Sequence, residues 1–151
     1  MSFPVLPIIL LAPVVAAFIL IFVPKDEHKL IKSIAAMGTF MSMLMSLYVY
    51  FAYDKSIGGL QFVVGQHFPW IPDLGVTFLL AADGISLPML LLTNLIGFSA
   101  VYASWNIKSR PKEFFILLLI LIAGVMGTFL AHDLFIFLLF YELVVIPIYI
   151  M

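Results

Sequence analysis

The chain has 151 residues, 65% hydrophobic and 10% charged, with a formal net charge of -1 and a mean hydropathy of +1.25. That composition excludes a soluble globular domain and fits a polytopic membrane protein. The charge balance leaves no footprint for nucleic acid. The absence of cysteine excludes disulfides, thiolate metal sites and iron–sulfur ligation by this chain.

Taken in order, the apolar runs predict an all-α fold: a polytopic transmembrane helix bundle of about five spans forming a single membrane domain over 1–151. The first span is expected over 3–23, closed by Pro24. Its start lacks a basic leader and a clear cleavage site, so it reads as a retained helix. Pro4 and Pro7 suit a first turn, whereas Pro13 lies deep enough to kink the helix. The second span is expected over 30–53, with Ser33 as a cap, and the third over 85–105. Asp83-Gly84-Ile85-Ser86 leads the third, where Asp83 or Ser86 can accept from first-turn amides. The fourth is expected over 114–131. The fifth, over 134–151, follows Asp133, which fits an N-cap.

The connections carry the orientation signal. Lys25, Lys29 and Lys32 fall between spans one and two, and Lys108, Arg110 and Lys112 between spans three and four. The long second loop has only Lys55, so the two basic loops are expected on the cytoplasmic side and the N-terminus outside. Tyr48, Tyr50, Phe51 and Tyr53 form the expected outer aromatic belt, and Trp105 marks the inner interface. The second loop, Asp54 to Ala82, is long for a connector, and a short hairpin on the outer surface is expected within it. Small residues recur on the spans, among them Gly38, Thr39, Ser42 and Ser46, then Gly97, Ala100 and Ser104, then Ala123, Gly124 and Gly127. Ordinary close helix packing accounts for them.

No glycine-rich dinucleotide or phosphate loop occurs. His28, His67 and His132 fall in loops or at helix ends, where a bis-histidine haem cannot be built. Acid–base chemistry remains, and Glu142 is the residue that offers it. It lies about nine residues into the fifth span, roughly 13 Å deep in a hydrocarbon layer ~30 Å thick. A charge at that depth costs at least about 3 kcal/mol. Apolar surroundings favour a neutral carboxyl group and a nearby cation favours the carboxylate, so an acid between the two influences can relay protons. Pro147 lacks an N–H and frees the Leu143 carbonyl near Glu142. Tyr149 falls on the Glu142 face by helical spacing. The alternative reading of Glu142 is a neutral acid fastening two helices by one hydrogen bond. Asp83 and Asp133 read mainly as caps, His132 as an interfacial residue, and Lys108, Arg110, Lys112 and Glu113 as a surface cluster too far from Glu142 to pair with it.

Three strings carry a resemblance: Asp83-Gly84-Ile85-Ser86-Leu87, Lys112-Glu113-Phe114, and Phe140-Tyr141-Glu142-Leu143-Val144-Val145-Ile146-Pro147-Ile148-Tyr149. Trp70-Ile71-Pro72, followed by Gly75, adds to them. Together they resemble the antiporter-like subunit M of bacterial NADH–quinone oxidoreductase, the counterpart of mitochondrial NADH dehydrogenase chain 4. The resemblance runs from about Gln61 to Met151. It implies a partial antiporter-like fold with Glu142 in the proton pathway, facing a lysine on a later, broken helix. It also implies that this chain is a fragment, or one piece of a split subunit, of a fourteen-span protein. NADH, FMN, iron–sulfur clusters and quinone would then sit on other subunits, with none bound here. The implied partners are the lipid bilayer and other membrane subunits, especially neighbouring antiporter-like ones, in a bacterial inner membrane rather than a mitochondrial one. The same strings also suit a multisubunit sodium–proton antiporter or a membrane-bound hydrogenase. A structural or assembly membrane protein is the reading from another class.

Overall fold

A computed structural model of the chain describes residues 5–59, 61–64, 69–77, 80–131 and 134–150. Each expected apolar run contains one helix: α1 Val5–Phe22, α2 His28–Ala52, α3 Ser86–Ala103, α4 Pro111–Leu130 and α5 Leu134–Ile150. The first four are long and apolar enough to cross a membrane, and α5 is a shorter apolar helix of 17 residues. The chain is an integral membrane protein whose helices are apolar on both sides. Leu6, Ile9, Leu20, Leu90, Phe115 and Leu119 fill the interior, while Phe18, Phe22 and Phe51 stand exposed on the outside. Outward phenylalanines are costly in water and at ease in lipid.

The helix starts are set by local chemistry. α2 begins at His28, before the apolar run, because a tight turn over Pro24–Glu27 feeds straight into it. Ser33 does not cap this helix. It lies one turn inside, and its hydroxyl donates back to the Lys29 carbonyl at 2.8 Å. α4 begins at Pro111, whose fixed φ and missing N–H suit a first helical position. Arg110 precedes it in the left-handed region at φ 48°. Before α3, the Asp83 carboxylate accepts from the Ile85 amide at 2.9 Å and the Ser86 amide at 2.7 Å. The Ser86 hydroxyl accepts from the Asp83 amide at 2.8 Å, so both residues cap, in the reciprocal pattern of a capping box.

The second loop folds into two nested antiparallel pairs. The outer pair is β1 (Gln61–Val64) with β4 (Leu80–Ala82), and the inner pair is β2 (Pro69–Ile71) with β3 (Val76–Thr77). A 3-10 turn over Pro72–Leu74 and Gly75 at φ 69° close the inner pair. The expectation of a hairpin lying wholly on the outer surface needs correcting, because Leu80, Ala81 and Ala82 are fully buried. Leu80 is a large buried side chain and Ala81 and Ala82 are small, and their backbone groups are paired by β1 and by a bridge from Leu80 to Ala131.

The bundle proper is α1 to α4. α1 packs on α2 and α4, α2 on α3, and α3 on α4. α5 stands to one side and packs chiefly on α4.

Candidate functional site

Two glycines decide which way α5 faces. A Cβ on Gly127 would overlap the Phe140 ring, and one on Gly124 would come within 3.0 Å of Val144 Cγ2. Their bare backbones let α5 lie directly on α4. The inward row of α5 is therefore Ile136, Phe140, Leu143, Val144 and Pro147, at i, i+4, i+7, i+8 and i+11. Ile136 and Pro147 are buried. Phe140 and Leu143 line an apolar cavity of about 230 Å³ with Pro7, Leu10, Leu11 and Val14 of α1, Leu80 of β4 and Ala123 of α4.

At 100° per residue Glu142 falls about 160° from Phe140, on the far side of the helix. It is exposed, eight residues after Leu134 in a helix of 17, and so near its middle. Its carboxylate makes no hydrogen bond or ion pair with another described residue. Tyr149, two turns on, shares this face and is 89% exposed. Pro147 lies on the opposite, inward side and lacks the N–H that the Leu143 carbonyl would otherwise accept from. The three sequence-predicted site residues thus share one helix, but only Glu142 and Tyr149 share a face.

Other predicted groups settle into structural roles. Lys112 reaches across to the end of α1 and donates to the Ile21 carbonyl at 2.8 Å, satisfying one of its last acceptors. Glu113 lies 3.7 Å from both Lys25 and Arg110, on exposed side chains, where such pairs contribute about 0–1 kcal/mol. His28 is the first residue of α2. His67, His132 and Asp133, including the expected Asp133 cap, lie outside the described residues. Among the described residues, no group of three or more His, Asp or Glu is placed to hold a metal.

The polar centre of the bundle is one the sequence reading passed over. Ser42 of α2 is fully buried, and its Oγ lies 2.9 Å from the Ile9 carbonyl of α1 and 2.8 Å from Asn94 Oδ1 of α3. Met126 Sδ of α4 is 3.6 Å away, and the Asn94 amide donates to the Leu90 carbonyl at 3.1 Å. Pro13 explains the site, because position 13 would normally donate to the carbonyl of residue 9 and proline cannot. Ser42 meets the orphaned acceptor from a neighbouring helix. Its single proton serves one oxygen at a time, so the Ile9 carbonyl and Asn94 Oδ1 share it. Two signals could have found this node: a proline at mid-span, which names the carbonyl four residues back, and Asn94, the sole amide side chain inside an apolar run.

No family model matches the chain. It is 37% identical over 150 residues to NAD(P)H-quinone oxidoreductase chain 4 of Prochlorococcus marinus strain MIT 9313, covering 98% of this chain and 26% of that protein. A chain 4 protein of Thermosynechococcus vestitus is 34% identical over 151 residues, covering 99% and 28%. Among solved structures, a chain of the membrane-bound sulfane sulfur reductase, an archaeal respiratory membrane complex, superposes with a TM-score of 0.80 at 22% identity. That match covers 97% of this chain and 22% of the other, and it shows a shared fold. The chain spans about a quarter of the length of the curated relatives it matches. By sequence it is a homologue of NAD(P)H-quinone oxidoreductase chain 4, related along nearly its whole length to part of that protein.

Proposed function

We propose that this chain is the N-terminal part of a proton-translocating, antiporter-like membrane subunit of a quinone oxidoreductase, with Glu142 as a proton-carrying group. One observation carries the reading. The glycine contacts of α4 turn Glu142 away from the other four helices, so a carboxyl group at mid-helix depth has no partner among the described residues. An acid kept at that depth and facing outward is positioned for a group supplied by the remainder of a longer subunit or by a neighbour.

The chemistry follows from that placement. A cation brought alongside favours the carboxylate, and its withdrawal favours the neutral acid, so one cycle of approach and retreat releases and recovers one proton. Tyr149 places a hydroxyl two turns away on the same face. The Leu143 carbonyl, without a helical donor from Pro147, offers its acceptor on the inward side of α5, away from the Glu142 face. α4 packs against the side of α5 opposite Glu142. Redox energy would come from other subunits, and the membrane would be a bacterial inner membrane, with the lysine-bearing loops on the cytoplasmic side by their charge.

The test is Glu142→Gln in the assembled complex, reconstituted in vesicles with a pH-sensitive dye inside. Gln keeps the hydrogen-bonding shape and cannot exchange a proton. The expected result is loss of most proton uptake with assembly intact, in sodium-free and sodium-containing buffer alike. Undiminished pumping by the variant would refute the reading, and activity restored only by sodium would move it to a sodium-coupled carrier.

A further inference from the structure

We infer that the α2–α3 flank, at the lysine-bearing end of the bundle, binds an anionic phospholipid, with the phosphate held by Lys29 and Lys32 and an acyl chain laid along an aromatic column. The column is continuous. Phe40 of α2 lies 5.7 Å from Phe98 of α3, Phe98 4.9 Å from Tyr102, and Tyr102 5.5 Å from Trp105, the last two rings almost parallel at 11°. Lys32 Nζ stands over Trp105, 5.8 Å from the ring centroid, at the head of the column. Phe40 and Tyr102 are about half exposed, so the rings line an open surface rather than a closed core.

Charge selects the occupant. Lys29 precedes Lys32 by three residues and so lies on the same flank of α2. Neither lysine forms an ion pair with a described carboxylate, whereas Lys25 and Arg110 at the same end both approach Glu113. Two unneutralised ammonium groups at a membrane edge attract a phosphate, each contributing roughly a fivefold preference. Trp105 and Tyr102 are amphipathic rings suited to the headgroup level. From Lys32 to Phe40 is eight residues of helix, about 12 Å, the upper part of one acyl chain. A second protein helix would cover the rings equally well but would leave both cations unanswered unless it brought acids.

The experiment uses Trp105 as the reporter. In a Trp70→Phe background it is the single tryptophan of the chain, which has two. The protein is reconstituted in phosphatidylcholine vesicles containing brominated-acyl phosphatidylglycerol or, at equal mole fraction, brominated-acyl phosphatidylcholine. The anionic lipid is expected to quench Trp105 with at least a tenfold higher relative affinity. Lys29→Gln and Lys32→Gln should each lower that preference about fivefold. Lys25→Gln, at the same end but beside Glu113, should leave it unchanged. Equal quenching by both lipids would overturn the inference, as would an equal loss in Lys25→Gln, which is general surface charge. Absence of quenching by either lipid would mean that protein covers the flank, and would overturn it too.

Discussion

Ser42 and Glu142 are both polar side chains within apolar helices, and the fold treats them in opposite ways. Ser42 is buried where four helices meet, and every acceptor around it belongs to this chain. Glu142 is turned outward by the glycines beneath α5 and meets no described partner. A polar group satisfied inside its own bundle is a structural fastening, and its loss costs stability. A polar group aimed out of the bundle at mid-helix depth contributes nothing to this fold. Bilayer energetics make the second arrangement costly, which is the ground of the role proposed for Glu142.

The largest expected effect tests that contrast directly. Glu142→Gln should remove most proton translocation from the assembled complex while thermal stability of the bundle stays within about 0.5 kcal/mol, the usual range for a substitution that touches nothing. A variant that unfolds instead would place Glu142 with Ser42, among the fastenings. Next comes the seat of α5. Gly127→Ala would drive its methyl into the Phe140 ring, and overpacking of that kind costs about 1–3 kcal/mol. Steric-trapping measurements of unfolding should show that loss, and Phe140→Leu in the same chain should recover part of it. Failure of Phe140→Leu to rescue would mean that α5 is oriented by something other than the glycine contact.

The spans were legible because the apolar runs are long and their boundaries carry chemistry. Pro24 closes the first, the Asp83–Ser86 box opens the third, and Pro111 opens the fourth. Glu142 was legible as an anomaly of depth. Its orientation was not, because Gly124 and Gly127 show in sequence only that a helix can come close, not which residue of α5 fills the gap. The burial of Leu80–Ala82 was hidden for a similar reason: three apolar residues after a loop read equally well as a surface strand or a buried one. In sequence Ser42 reads as a packing residue because its bond partners, the Ile9 carbonyl and Asn94, lie 33 and 52 residues away. Pro13 is the clue in sequence, because a mid-span proline orphans the carbonyl four residues back as well as kinking the helix.

The node itself is expected to yield a smaller effect. Intramembrane side-chain hydrogen bonds average about 0.6 kcal/mol and reach about 1.7. Ser42→Ala should fall near the upper figure, because it strands both the Ile9 carbonyl and Asn94 Oδ1 in an apolar interior. A double-mutant cycle with Asn94→Leu should return a coupling of about 0.5–1.5 kcal/mol. Zero coupling would mean that the Ser42 proton is committed to Ile9 alone, and that α3 is held by packing without it.

The smallest effect lies outside the membrane, in the turn after α2. The Ser56 hydroxyl, 2.5 Å from Asp54 Oδ1, and the Ser56 amide at 2.9 Å both donate to the Asp54 carboxylate and hold its ionisation below the ordinary aspartate value. The hydroxyl is the larger influence. A carboxyl group whose folded value is depressed stabilises the folded state above the pH where an unfolded aspartate ionises, about 3.9. That contribution fades as the pH falls through the lower, folded value. Asp54 is fully exposed, so solvent screens the effect and the turn, rather than the bundle, should register it. A carbon-detected NMR titration of Asp54 should therefore show its midpoint rising in Ser56→Ala toward the ordinary value, with helix content unchanged across the same range. A midpoint indifferent to Ser56 would leave this turn held by its backbone bonds alone.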